Sequence, residues 1–308
     1  MMARTLIVDC DPGQDDAVAL LLAFASAAEL DPCAVTTVAG NAPLACTSRN
    51  ARRVCELAER RDVPVHAGCA RPILRPLETA EHVHGADGLA GFDLSEPTIP
   101  LAPGHAVDVL VERLMSADGD VTIAALGPLT NLALAIVKES RIVPRIREIV
   151  VMGGALGPGN VTAWAEFNLY VDPHAAAVVF SAGAALTMIG LDVTREAIAT
   201  PGRVAAIRDI GRPAATAVAT MLSLHLEPAS ERADAPGATL HDPCVIAYLL
   251  RPELFETHPM SIEVETADPE RLGQTRVITG DTAPNANVAV GIDAEGFFRL
   301  LTERLARL

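Results

Sequence analysis

The stretch Asp9-Cys10-Asp11-Pro12-Gly13-Gln14-Asp15-Asp16 puts four carboxylates into eight residues, between the apolar runs 6–8 and 17–22. Like charges a few ångströms apart repel, so this crowding beside apolar elements calls for a positive partner, and a hard divalent cation suits an all-oxygen donor set. A capped acidic helix start would be satisfied by two carboxylates, and four are present. Further polar groups recur downstream. Glu166-Phe167-Asn168 offers two polar groups on one face of an extended segment, and His241-Asp242-Pro243 precedes the apolar run 244–250. Asp242 could serve only as an N-cap, the usual job of an aspartate in that position. His82 and His84, at alternate strand positions, could form a metal pair, but no third histidine is near, which argues against zinc.

Such groups need elements to position them. Residues 6–10 read as a short buried strand whose alternation sends Asp9 and Asp11 to one face and Cys10 to the other. Pro12-Gly13 stops that strand and admits a helix with Asp15 and Asp16 in its first turn, where the helix dipole favours negative charge. Asp11 and Asp16 can then converge on one point. The glycine-rich run 153–159 lacks Gly-x-Gly-x-x-Gly spacing and any following Gly-Lys-Ser/Thr, so it reads as a flexible loop bringing Asn160 towards a site.

Along the chain, short apolar runs at 6–10, 34–39, 63–67, 121–126, 149–152 and 185–191 alternate with helical patterns such as 44–60, 105–116 and 129–137. This alternation predicts an α/β fold, a mainly parallel central sheet with helices on both faces. Residues 1–308 read as one domain, with a more helical, peripheral elaboration after residue 195 and no linker. Ligands of such sheets bind beyond the carboxyl ends of the strands, where Asp11, Gly40-Asn41, Gly127-Pro128 and Gly153-Gly154 fall.

Composition narrows the partners. A net charge of -15 argues against nucleic-acid and anionic-membrane binding, since both need a basic face. The apolar stretch 17–28 is about half of what a bilayer span needs and reads as a buried helix. With no apolar region of secretory type at the start of the sequence, a cytoplasmic protein is expected. The six cysteines show no Cys-x-x-Cys spacing and read as small buried hydrophobes. Of the 24 basic residues only Lys138 is a lysine, and its context suits neither Schiff-base chemistry nor a phosphate loop.

Taken together, Asp9-Cys10-Asp11-Pro12-Gly13-Gln14-Asp15-Asp16-Ala17, Thr36-Thr37-Val38-Ala39-Gly40-Asn41, His84-Gly85-Ala86-Asp87-Gly88-Leu89, Leu126-Gly127-Pro128-Leu129-Thr130-Asn131, Met152-Gly153-Gly154-Ala155, Glu166-Phe167-Asn168 and His241-Asp242-Pro243 resemble the inosine-uridine-preferring nucleoside hydrolases. The motifs stand in family order across almost the whole chain. The resemblance implies a Rossmann-like nucleoside hydrolase fold and a calcium-dependent N-ribohydrolase that cleaves a nucleoside to ribose and free base with a calcium-bound water. It implies that Asp11, Asp16, Asp242 and the backbone carbonyl of Leu126 hold Ca2+, and that Asp11 is the general base. Asp15, Asn41 and Asn168 would bind the ribose 2'- and 3'-hydroxyls, and Asn160 and Glu166 the 5'-hydroxyl. Met152 and Phe167 would complete the substrate contacts, with His241 facing the departing base and His84 the base pocket. The partners implied are a small-molecule nucleoside substrate and further copies of the chain, as a homo-oligomer (dimer or tetramer).

The residue types suit that chemistry on their own account. Breaking an N-glycosidic bond builds positive charge on the sugar, which a carboxylate-dense pocket stabilises. Calcium accommodates seven or eight oxygen ligands, more than the octahedron of magnesium. The segment 221–240, where many relatives carry an aromatic residue over the base, has only His225 here, so purine or pyrimidine preference stays open. Phe167, Trp164 and, more remotely, Tyr248 are the remaining stacking candidates. Two other classes are weighed: a metal-dependent phosphohydrolase with an Asp-x-Asp site at Asp9 and Asp11, and a non-catalytic nucleoside-binding protein. The first needs a lysine partner that Lys138 is poorly placed to be, and the second has no need of all the acids.

Overall fold

Val, Ile, Leu and Ala fill the strand runs on both faces, and a strand buried on both faces belongs in the middle of a layered α/β sheet. The computed structural model describes residues 3–89, 92, 94–230, 237–280 and 282–308, with backbone alone at 225–230. Strands β1 (Arg4–Cys10), β2 (Leu30–Thr37), β3 (Val65–Ala67), β4 (Val121–Ala125), β5 (Ile146–Met152) and β6 (Leu186–Ile189) pair in parallel. Two short pairs lie outside that sheet, β7 (Ile198–Ala199) with β8 (Ala238–Thr239), and β10 (Ile262–Val264) with β11 (Thr275–Val277). Strands β9 (Phe255–Met260) and β12 (Ala286–Ile292) close the main sheet in the order β3-β2-β1-β4-β5-β6-β12-β9, with β12 parallel to β6 and β9 antiparallel at the edge.

The helices are α1 (Gln14–Phe24), α2 (Leu44–Leu57), α3 (Glu81–His84), α4 (Ala106–Ser116), α5 (Thr130–Lys138), α6 (Phe167–Val171), α7 (Pro173–Ser181), α8 (Leu191–Thr194), α9 (Pro201–Arg208), α10 (Pro213–Ser230), α11 (Pro243–Leu250) and α12 (Ala294–Leu305). They flank the sheet and form two apolar cores. Residues of α1, α2, α10, α11 and α12 pack on the face of Leu6, Val8 and Cys10, and those of α4, α5 and α7 on the face of Ile7. The Cys10 side chain thus points away from Asp9 and Asp11, as strand alternation requires. Helix α1 is buried almost all round, which explains why its sequence is uniformly apolar after the acidic first turn.

The α/β sheet matches the expectation, but the part after residue 195 is not peripheral: α10, α11 and α12 pack into the main core, and β9 and β12 join the sheet. What periodicity could not show is that the last strand rejoins the main sheet one place in from its edge: β12 lies beside β6, about a hundred residues earlier in the chain. Two local readings are corrected. Residues 81–84 form one helical turn, not a strand, so His82 and His84 do not share a strand face. Glu166-Phe167-Asn168 is not extended either, because Glu166 caps α6 by accepting from the amides of Asn168 and Leu169.

Candidate active site

Four strand ends and three helix starts meet at one cleft. Asp11 follows the last residue of β1, and Gly13 is the N-cap of α1, so the turn between them brings Asp16 back under Asp11. Asp16 accepts from the Asp11 amide through Oδ1 at 3.1 Å and from the Gly13 amide through Oδ2 at 3.0 Å. The loop after β2 supplies Asn41, whose amide donates to Asp11 Oδ2 at 2.6 Å and whose Nδ2 donates to Asp16 Oδ2 at 3.1 Å. Asp11 Oδ1 is left buried, with no hydrogen-bond partner among the described residues. Glycines clear the space around it: a Cβ at Gly40 would stand 2.1 Å from Asp11 Oδ2, and one at Gly127 would stand 2.3 Å from Oδ1.

Asp242 enters from the opposite wall. It stands at the N-cap position of α11, as expected, but its side chain makes no cap bond there. Its carboxylate instead faces that of Asp16. Carboxylate oxygens of Asp15, Asp16 and Asp242 all lie within 4.8 Å of one another. Burial, and then the mutual charge of these acids, pushes Asp11 and Asp242 well above the usual carboxylate range and Asp16 up to about 7. Carboxylates this close repel unless a proton or a cation stands between them. The oxygen-only donors, the partnerless Asp11 Oδ1 and the glycine-cleared space therefore fit a hard divalent ion. Asp9 serves another purpose: its Oδ1 accepts from Thr36 Oγ1 at 2.6 Å and Asn131 Nδ2 at 2.8 Å, tying β1 to β2 and α5. With Asp9 so held, and Lys138 paired with Asp108 on the exposed surface, the Asp-x-Asp phosphohydrolase reading has no site.

The cleft above this floor is lined by Asp15, Asn41, His84, Leu126, Met152, Asn160, Glu166, Phe167, Asn168, His241 and Asp242. Asp11 and Asp16 lie beneath it, fully buried. Asn168 donates through Nδ2 to the carbonyl oxygens of Leu126 at 2.7 Å and Met152 at 3.2 Å, which locks the ends of β4 and β5 together. A carbonyl oxygen has two lone pairs, so that of Leu126 keeps one for a further partner. Glu166 is buried, and burial raises it to about 7 although three backbone amides, including Gly154 N at 3.1 Å, donate to it. The loop before Asn160 is pinned rather than loose. Asp192 accepts from Leu156 N and Gly157 N, and Arg195 donates to the carbonyls of Pro158 and Gly159.

A further wall of the cleft is largely aliphatic. Val83, Val161, Leu222, Ala238, Thr239 and Leu240 line it with His82, and of these the sequence had singled out only His82. Only Thr239 carried a readable signal, two positions before His241 on the same strand-like segment. Phe167 is the one aromatic residue among the described lining residues. Trp164 stacks instead under the Arg271 guanidinium at 4.5 Å, and Tyr248 packs edge-on to Phe255 at 5.7 Å, so neither joins the wall. The side chain of His225 lies outside the described residues. His84 packs on the α1 entrance, since a Cβ on Gly13 would come within 2.8 Å of its Nδ1.

A family model described as inosine-uridine preferring nucleoside hydrolase matches residues 6–299. A pyrimidine-specific ribonucleoside hydrolase, RihA, of Salmonella paratyphi C is 45% identical over 309 residues, covering 99% of this chain and 99% of that protein. The RihA of an Enterobacter species is likewise 45% identical, over 311 residues and the same 99% shares. Among solved structures, a plant nucleoside hydrolase, the PpNRh1 enzyme, superposes with a TM-score of 0.93 at 31% identity over 98% of this chain and 99% of that one. A purine-preferring ribonucleoside hydrolase from Gardnerella vaginalis gives 0.93 and 31% over 98% of each chain. The chain belongs to the inosine-uridine preferring nucleoside hydrolase family and is a nucleoside N-ribohydrolase, an enzyme that splits ribonucleosides into ribose and free base.

Proposed function

We propose that this hydrolase works through Asp11 as proton acceptor and His241 as the group facing the departing base, with Ca2+ as its resident ion. The carrying observation is the partnerless, fully buried Asp11 Oδ1 on the floor of a cleft whose other wall brings Asp242 to Asp16. Asp11, Asp16, Asp242 and the Leu126 carbonyl would hold the ion, and the position of Asp15 beside Asp16 and Asp242 makes it a further candidate ligand. Bound there, a divalent cation would lower the pKa of a water and orient the sugar diol.

The chain's own groups supply the rest. Asp11 takes the proton of the attacking water through Oδ1 while the Asn41 amide fixes Oδ2. Asp15, Asn41 and Asn168 read the 2'- and 3'-hydroxyls, and Asn160 and Glu166 the 5'-hydroxyl. The carboxylates around the sugar stabilise the positive charge that develops as the bond to the base breaks. Met152 and Phe167 form the floor and side of the substrate pocket, and His84 borders the base. Pyrimidine ribonucleosides are the preferred substrates, a reading supported by the RihA relatives, which are named pyrimidine-specific. Six unpaired thiols suit a reducing, cytoplasmic setting, and among the described residues no helix is long and apolar enough to cross a membrane.

A panel of uridine, cytidine, inosine, adenosine and a phosphate ester, assayed before and after chelation, tests the reading. The expected result is higher kcat/KM for the pyrimidine nucleosides, no phosphatase activity, and loss on chelation that calcium restores at about one ion per chain. Full activity in metal-free protein would reject the ion, and a purine preference would reject the substrate.

A further inference from the structure

The mechanism needs His241 in one orientation, and none of the motifs above supplies the group that holds it. His241 Nδ1 lies 2.8 Å from Thr194 Oγ1, a hydroxyl from the last residue of α8, 47 positions earlier in the chain. Thr194 is fully buried, whereas His241 lines the cleft. A threonine hydroxyl in a helix ordinarily turns back to the carbonyl one turn earlier. Here the Thr194 backbone amide bonds the Gly190 carbonyl, while its hydroxyl goes to the histidine. The two residues are held at this distance from both sides: β7 pairs with β8, and the Leu240 amide donates to the Ala197 carbonyl at 3.0 Å.

We infer that Thr194 is a positioning residue for hydrolysis, orienting the His241 ring so that Nδ1 is committed to the protein and Nε2 serves the departing base. The inference rests on the proposed part of His241 in base departure. A hydroxyl can donate to Nδ1 or accept from it, so it keeps one ring orientation whichever nitrogen carries the proton. An aliphatic side chain of the same shape cannot do either. Loss of the hydroxyl therefore harms only the step in which the base needs a proton, and leaves the sugar side untouched.

The test compares Thr194→Val, Thr194→Ser and His241→Ala on uridine and on 4-nitrophenyl riboside, whose leaving group departs without a proton. Thr194→Val is expected to lose at least roughly 10-fold in kcat on uridine, with KM changed little and the nitrophenyl riboside rate nearly kept. Thr194→Ser is expected to recover most of that loss, which a purely packing role would not give. His241→Ala alone should show the same selectivity with a larger loss, on the order of 100-fold. If His241→Ala is selective but Thr194→Val is not, or if Thr194→Ser fails to rescue, the positioning assignment is wrong while the reading of His241 survives. Equal losses on both substrates for His241→Ala would overturn both.

Discussion

Asp11 and Asp16 are equally buried, yet their surroundings give them different work. Asp16 spends its oxygens on the Asp11 and Gly13 amides and on Asn41, whereas Asp11 keeps Oδ1 for the cleft. Asp11→Asn retains an oxygen for the Asn41 amide and the same shape, so the fold should persist while the proton acceptor is lost. Turnover of uridine is expected to fall by at least ~100-fold with an unchanged circular dichroism spectrum. A near-native rate would remove Asp11 from that position. The ribose contacts carry a second expectation. With Asn41 and Asn168 reading the ribose as proposed, a substrate without a 2'-hydroxyl would leave these buried polar groups and the acids of the floor short of a partner, at an expected cost of several kcal/mol in the transition state. Comparable kcat/KM for uridine and 2'-deoxyuridine would contradict the assignment.

Elements meet at the cleft because a few buried side chains tie their ends together. Asn168 of α6 joins β4 and β5, Asn131 of α5 joins β1, β2 and Cys69, and Asp172 joins three segments at once. Asp172 caps α7 through the Ala175 amide at 3.0 Å, and its other oxygen accepts from Thr130 Oγ1 at 2.7 Å and the Ile73 amide at 2.9 Å. Asp172→Ala leaves these donors buried and unmet, so a loss of about 2–4 kcal/mol is expected. Urea unfolding of the two proteins measures it, and a loss below about 1 kcal/mol would show that the cap is dispensable.

For the molecule as a whole, the acid cluster would couple stability to pH and to the proposed ion. Burial raises Asp9 from 3.8 to about 6, Asp16 from 3.8 to about 7 and Glu166 from 4.5 to about 7. Each holds its proton to higher pH in the folded chain than in the unfolded one, so stability is greatest below the unfolded values and falls as pH rises through the window from about 4 to about 7. The exposed acids held low by arginine and backbone partners, such as Asp62, act in the opposite sense and at lower pH. Chelated protein is therefore expected to melt at a lower temperature near pH 8 than near pH 5, and added calcium to raise Tm more at the higher pH, where it favours the ionised carboxylates. A Tm that climbs between those two pH values in chelated protein would show that the cluster is not held this way.

Residues close in the chain settle much of this protein by themselves. The strand before Asp11, the Pro12-Gly13 turn and the acidic start of α1 follow from alternation, turn chemistry and the helix dipole, all of which act over a few residues. That is why the acidic floor, the alternating α/β order and the polar strand ends were legible before any fold was known. The rest depends on contacts between distant segments. Asp9 and Asp11 look alike in sequence, and each keeps one buried oxygen unmet, but Thr36 and Asn131 tie Asp9 to β2 and α5 whereas Asn41 fixes Asp11 beside Asp16 beneath the cleft. Glu166-Asn168 looked extended until its own capping bonds made it a helix start, and Trp164 looked like a base contact until Arg271 covered it. The return of β12 to the sheet, the aliphatic wall from Val83 to Leu240, and the pairing of Thr194 with His241 were decided by tertiary packing, because each joins residues whose separation leaves no periodic trace in the chain.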